Sequence, residues 1–255
     1  MKLTFIKQHH WRRSLRAFSL VELSIVLVIL GLLVGGALSG RSLIRAAEMR
    51  SIQTDFSKYL AAVHQFRDKY FALPGDMPNA TAFWGAAHPT PATCRDTPST
   101  TTATCNGNGN GEVKATGTSW ESSRFWQHLA NAALIEGTYD GVDDEFGKSR
   151  YMNGGWQVNY WGQYSGGTFD FTGFWGHDFE LYDGDASYTT LTPAEAWNID
   201  QKVDDGVPNT GKVWSLKGDA AMPCTTMYGQ VSDAGAQYNL TYPSSACWIY
   251  FVNIF

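Results

Sequence analysis

No proline stands between Phe18 and Phe71, so nothing in that stretch removes a backbone donor or forces a helix to stop. Acidic side chains are missing from residues 1–17, which carry five basic ones (Lys2, Lys7, Arg12, Arg13 and Arg16). The four cysteines form no CxxC pair, which argues against a redox dithiol or a structural zinc site. GxSxG, HExxH and a phosphate-binding glycine loop are absent too, so the usual signatures of hydrolase, metalloprotease and nucleotide chemistry are missing. The charge balance weakens a further class. Five of the 19 basic residues lie in the first 17 positions, which leaves 14 against all 24 acidic ones in the remainder. A body this acidic is a poor partner for phosphates, and no nucleic acid is expected on it.

What is present is a 21-residue run from Phe18 to Leu38 whose only charge is Glu22. At about 1.5 Å per residue it spans the roughly 30 Å hydrocarbon core of a bilayer. An ordinary signal peptide has a shorter apolar core, about 7 to 15 residues. Ala37-Leu38-Ser39 would still serve as a cleavage site, so an alternative stays open: a secreted or periplasmic ligand-binding, adhesin-like or enzymatic domain released by ordinary signal peptidase. The basic excess before the run places the N-terminus in the cytoplasm and exports everything after Ser39. In that oxidising compartment, Cys94, Cys105, Cys224 and Cys247 favour two disulfides. Of the three connectivities, the nearest-neighbour one (94 with 105, 224 with 247) is expected.

Beyond the apolar run, Ile52, Phe56, Leu60, Val63, Phe66 and Tyr70 recur every three or four residues with charges between them, the pattern of an amphipathic helix. One helix of about 54 residues, roughly 80 Å long, is therefore expected up to the stop at Leu73-Pro74-Gly75. Glycines 31, 35, 36 and 40 are where it is expected to bend or melt. Residues 74–119 read as loop. A second helix is expected over Ser119 to Glu136, capped by Thr118 and Glu121 and closed by Gly137. Aromatic alternation broken by glycines between Gly154 and Tyr182 predicts antiparallel strands. Thr192, Pro193 and Glu195 open a third helix, and "CWIYFVNIF" reads as a final buried strand. The fold class is α+β: a long N-terminal helix, its first half membrane-spanning, packed on a head with an antiparallel sheet and short helices. The expected segments are a basic leader (1–17), a transmembrane and assembly half (18–38), an amphipathic half (39–73) and a globular head (74–255).

The opening segment, a basic leader followed by a small residue and "FSLVELSIVLVIL", resembles the N-terminus of the type IV pilin and type II secretion pseudopilin family. "DKYFALPGDMPNAT", "RFWQHLANAALIEG" and "NIDQKVDDGVPNTGKV" also look like segments of larger heads in that family. The resemblance implies that prepilin peptidase cuts between Ala17 and Phe18 and N-methylates Phe18, with Ala17 standing where the family usually has Gly. It implies that Glu22 is the acidic residue needed for assembly. The implied partners are prepilin peptidase, other pilin-like subunits, the inner-membrane assembly machinery and the membrane. The implied location is the inner membrane, single-pass with a periplasmic head, then a pilus, pseudopilus or cell surface. A minor subunit is the variant expected for so large a head.

The sequence offers two sets of oxygen ligands for Ca2+. Asn106, Asn108, Asn110 and Glu112 alternate with glycine, although the bland reading is a turn. Asp200, Asp204 and Asp205 precede Gly206, and an acidic head loop that holds calcium is something the resemblance also implies. A helix end followed by a glycine turn explains them equally well. No catalytic set is expected: His64, His88, His128 and His177 are scattered, with His128 a packed histidine, and Asp143 with Asp144 is a common polar turn. Asp183 with Asp185 is a weaker metal candidate still. The ten Trp residues are read as core before they are read as sugar platforms.

Overall fold

The computed structural model describes residues 19–114, 121–142, 147–149, 151, 154–167, 170–182, 191–218, 220–228 and 233–255. Leader residues 1–17, Phe18, the Thr118 cap and the pairs Asp143/Asp144 and Asp183/Asp185 lie outside them. The chain divides into two units, Met1–Ala46 and Ala47–Phe255. Helix α1, Leu20–Tyr70, runs unbroken through 51 residues. No turn melts at glycines 31, 35, 36 and 40: the helix continues through all four, each of which costs only about 1 kcal/mol relative to alanine. In the first unit every side chain from Ser19 to Ser39 is exposed, including thirteen consecutive apolar or small positions from Ile25 to Ala37.

In the second unit, α1 supplies the spine of the core. Ile52, Phe56, Tyr59, Val63 and Phe66 are buried on one stripe. Phe56 stacks on Phe251 with ring centroids 4.1 Å apart, and Tyr59 meets Trp126 edge-on at 4.9 Å. Burying each such ring or branched side chain is worth about 1.5–3 kcal/mol. The region read as loop holds two short helices, α2 (Ala80–Trp84) and α3 (Pro91–Cys94). Neither is long enough to show a helical period in sequence. Helix α4 spans Glu121–Asn131. It ends earlier than Gly137: the Leu134 N–H reaches the Leu129 carbonyl, the Ala133 N–H reaches that of Ala130, and Ala133 takes φ 58°, the residue just past the end of a Schellman cap.

The remaining elements are β1 (Gly147–Lys148), β2 (Gly155–Tyr164), β3 (Gly173–Tyr182), α5 (Pro193–Val203), β4 (Val213–Ser215) and β5 (Ile249–Phe251). All pairings are antiparallel, in the order β1-β2-β3-β5-β4. Trp156 opposite Leu181 and Val158 opposite Phe179 put the apolar period-two face toward α1. The C-terminal strand is shorter than the run "CWIYFVNIF". Cys247 bridges to Leu191 instead, and Asn253 at φ 50° turns the chain out of extended geometry. Helix α5 opens with both arms of a capping box, Thr192 and Glu195, and Pro193 in its first turn. The disulfides are Cys94–Cys105 and Cys224–Cys247.

Candidate functional site

The start of α1 carries a local device. The Ser19 N–H donates to Glu22 Oε2 at 2.9 Å, and the Val21 N–H donates to Ser19 Oγ at 3.3 Å. Ser19 and Glu22 thus satisfy each other's end of the helix as a capping box does, and a carboxylate in the first turn also meets the positive end of the helix dipole. The spacing Ser-x-x-Glu before an apolar run was the signal for this cap. A carboxylate deep in a bilayer costs on the order of 3 kcal/mol on insertion scales, and the cap offsets part of it.

The Asn/Gly run is organised around a residue that the sequence reading missed, Asp76. Its carboxylate accepts N–H bonds from Gly109 (2.6 Å), Asn110 (3.1 Å) and Gly111 (2.8 Å). Burial raises Asp76 above the ordinary carboxylate range while those three donors pull it back. Glu121, at the start of α4, accepts the Asn108 N–H at 3.0 Å and is pushed up to about 7, chiefly by burial. The asparagine oxygens face backbone amides: Asn106 accepts from Thr81, Asn108 from Asn110, and Asn110 from Glu112. Glu112 pairs with Lys114 at 2.5 Å. A nest of successive N–H groups filled by an internal anion is the result. Glycine-rich spacing was the only hint of such a nest, and it does not say which acid fills it.

Asp200, Asp204 and Asp205 are brought together at the C-terminal end of α5, with ligand oxygens within 4.8 Å of one another. Asp200 is fully buried, accepts from Tyr238 OH at 2.9 Å and the Gly206 N–H at 3.0 Å, and is pushed up to about 7 by burial and then by its acidic neighbours. Asp204 accepts from the Lys212 N–H, and Asp205 from the Val207 N–H at 2.8 Å and Thr210 Oγ1 at 2.6 Å. Among the described residues none of the three forms an ion pair with Lys or Arg. Converging oxygen donors with uncompensated charge are the set a hard cation takes.

The histidines do not converge on a reactive group. His128 is buried: Nδ1 accepts the Gly75 N–H at 2.9 Å, while Nε2 lies 3.2 Å from the Cys105 carbonyl. Its imidazole is held down to about 3 by burial, as for a packed structural histidine. His177 accepts the Val113 N–H and is held down to about 4, again chiefly by burial.

The described part of the first unit is an exposed, largely apolar helix whose start is capped by Ser19 and Glu22, and the second unit is an α+β head with its own core. Such a helix fits a membrane anchor. Residues 12–38 match the family described as the prokaryotic N-terminal methylation motif, which includes Ala17, Phe18 and Glu22. The chain therefore carries a prepilin-type N-terminal signal, the segment shared by type IV pilins and pseudopilins. No curated protein and no solved structure matches the chain.

Proposed function

We propose that this protein is a structural subunit of a pilin-like filament, a type IV pilus or a type II secretion pseudopilus, and not an enzyme. Prepilin peptidase cuts between Ala17 and Phe18 and N-methylates Phe18. The N-terminus faces the cytoplasm and the head the periplasm until the subunit joins its filament. The observation that carries this reading is the methylation motif over residues 12–38, whose apolar side chains from Leu20 to Leu38 are all exposed on the helix. Such a surface must be covered by lipid before assembly and by neighbouring helices after it. The size of the head favours a minor subunit that starts or tips the filament.

Mass spectrometry of the mature N-terminus tests this. The expected first residue is N-methyl-Phe18. A mature chain starting near Gly40 would instead make the protein a domain freed by signal peptidase.

Calcium is part of the proposal. Asp200, Asp204 and Asp205 would hold Ca2+, which would neutralise the three carboxylates and fix the loop after α5; the Asn/Gly run needs no ion to account for its geometry.

A further inference from the structure

The face of the sheet turned away from α1 carries a cavity of about 180 Å3 lined by Trp161, Tyr164, Asp170, Trp175, Trp248 and Tyr250. Trp175 abuts Tyr250 at 73° and 4.9 Å between centroids and Tyr164 at 64° and 5.6 Å, Trp161 meets Tyr164 at 69° and 5.8 Å, and Trp248 lies tilted at 33° against Tyr250. Rings set this way form walls, unlike the single flat exposed ring on which a sugar stacks. Only Trp161, 44% exposed, stands open at the side.

One carboxylate lines the cavity, and two more lie behind its rings. Asp170 belongs to the lining and accepts the Tyr164 hydroxyl at 3.1 Å. Glu180, opposite Tyr250 in the β3–β5 ladder, accepts from Trp161 Nε1 at 3.2 Å and from Tyr182 OH at 3.0 Å. Asp178, on the same face two residues earlier, is fully buried, and neither of its oxygens meets a well-placed donor. Burial pushes Asp178 well up and Glu180 to about 7, and the charges of Glu180, Asp178 and Asp170 all act on the Tyr250 hydroxyl. The buried cation nearby, Lys217, is engaged by Asp233 at 2.5 Å and the Gly167 carbonyl at 2.9 Å. Among the described residues no Lys or Arg forms an ion pair with Asp170, Asp178 or Glu180.

We infer that this cavity binds an organic ammonium group, with the rings of Trp161, Tyr164, Trp175 and Tyr250 facing its alkyl substituents and Asp170 taking its charge. Ring faces attract cations most strongly when both are desolvated, and a methylated ammonium loses little hydration on entering. A metal ion would find too few oxygens at the cavity, whereas a bulky, weakly hydrated cation fills walls of this kind. The inference does not depend on the filament reading. Choline-type solutes and the headgroups of choline lipids share this chemistry.

The test uses the full chain in a non-ionic maltoside detergent and follows intrinsic tryptophan fluorescence during titration with choline chloride, glycerophosphocholine, the neutral isostere 3,3-dimethylbutanol and a neutral methyl glycoside, at constant ionic strength. Saturable binding of choline or glycerophosphocholine is expected, at least about tenfold tighter than either neutral compound. Trp161→Ala and Asp170→Asn should each weaken it about tenfold while leaving the melting temperature near that of the parent, and Trp161→Phe should restore most of it. Tighter binding of choline than of glycerophosphocholine points to a free solute, and the reverse order to a lipid headgroup. A response to dimethylbutanol equal to that for choline, preference for the glycoside, or no saturable response to either ammonium compound overturns the inference.

Discussion

At the level of single residues, Glu22 is already occupied in the isolated subunit, since it accepts the Ser19 N–H. Glu22→Ala should leave the subunit inserted and the head folded, because the Glu22 side chain is exposed and the head has a core of its own, yet it should lower filament yield by about tenfold or more if each contact loses roughly 1.4 kcal/mol. Glu22→Gln keeps an acceptor for the cap and discards the charge, so it should fail like the alanine variant if assembly reads charge. Filament yields equal to the parent for both variants would remove Glu22 from assembly.

Asp200 gives the second residue-level prediction. Its folded pKa, about 7, lies above the unfolded value, so the folded state holds an extra proton between roughly pH 4 and 7, and the stability lost as pH rises through that window reaches its full value above pH 7. In chelator at pH 8, Asp200→Asn should therefore melt higher than the parent, and the gap should narrow steadily below pH 7 and close only near pH 4. Calcium should stabilise the parent at pH 8, by about 2.7 kcal/mol at a hundredfold excess over its dissociation constant, and should not stabilise the variant. A parent chain whose melting point ignores calcium leaves the three aspartates without a metal.

Among the elements, the ends differ in how far the sequence revealed them. Helix α5 is announced by side chains acting on their own neighbours, Thr192, Pro193 and Glu195, so its start is legible. The end of α4 is set by a backbone turn at Ala133, a residue with no sequence preference for positive φ, and Gly137 was the natural but wrong choice. The long helix was legible because periodicity over many turns outweighs four glycines. Its stop is legible in Pro74 and Gly75, but the reason Gly75 is needed comes from contact with a distant element. At φ 81°, a Cβ on Gly75 would lie 2.2 Å from the Glu121 carbonyl oxygen of α4. Gly75→Ala should cost about 2–4 kcal/mol from strain and displacement of α4. Chemical denaturation of the full chain checks this, and a loss under about 0.5 kcal/mol would show that the junction yields easily.

For the whole molecule, the α+β class and the central hairpin were readable from alternation, while the sheet order was not. Strand β5, from the extreme C-terminus, inserts between β3 and β4, a pairing decided by tertiary contact and by the bridge from Cys247 to Leu191. The acid cluster at the end of α5 was visible as composition. The Asp76 nest and the aromatic cavity were not, since both join residues far apart in sequence. Net protonation is also a property of the whole. Glu121, Glu180 and Asp200, each pushed to about 7, take up protons in the folded state as pH falls from 8, which raises stability. Below about 6.5 the buried, neutral His128 and His177 oppose this, because the unfolded chain protonates its imidazoles first. In chelator, the melting temperature should climb from pH 8 to about 6.5 and then climb more slowly, because three acids outnumber two imidazoles. A fall over that first interval would contradict the burial of these acids.

The stripe of Phe56, Tyr59, Val63 and Phe66 runs along about three turns of a single unbroken helix. Tension applied along that helix pulls on all four side chains together, and Tyr59 adds its hydroxyl bond to the Lys148 carbonyl. The contacts are loaded in shear and must yield at once, so the head should resist extraction far longer than if the helix were peeled away turn by turn. How long the protein holds under load is then set by the rate of that concerted rupture, not by its equilibrium stability.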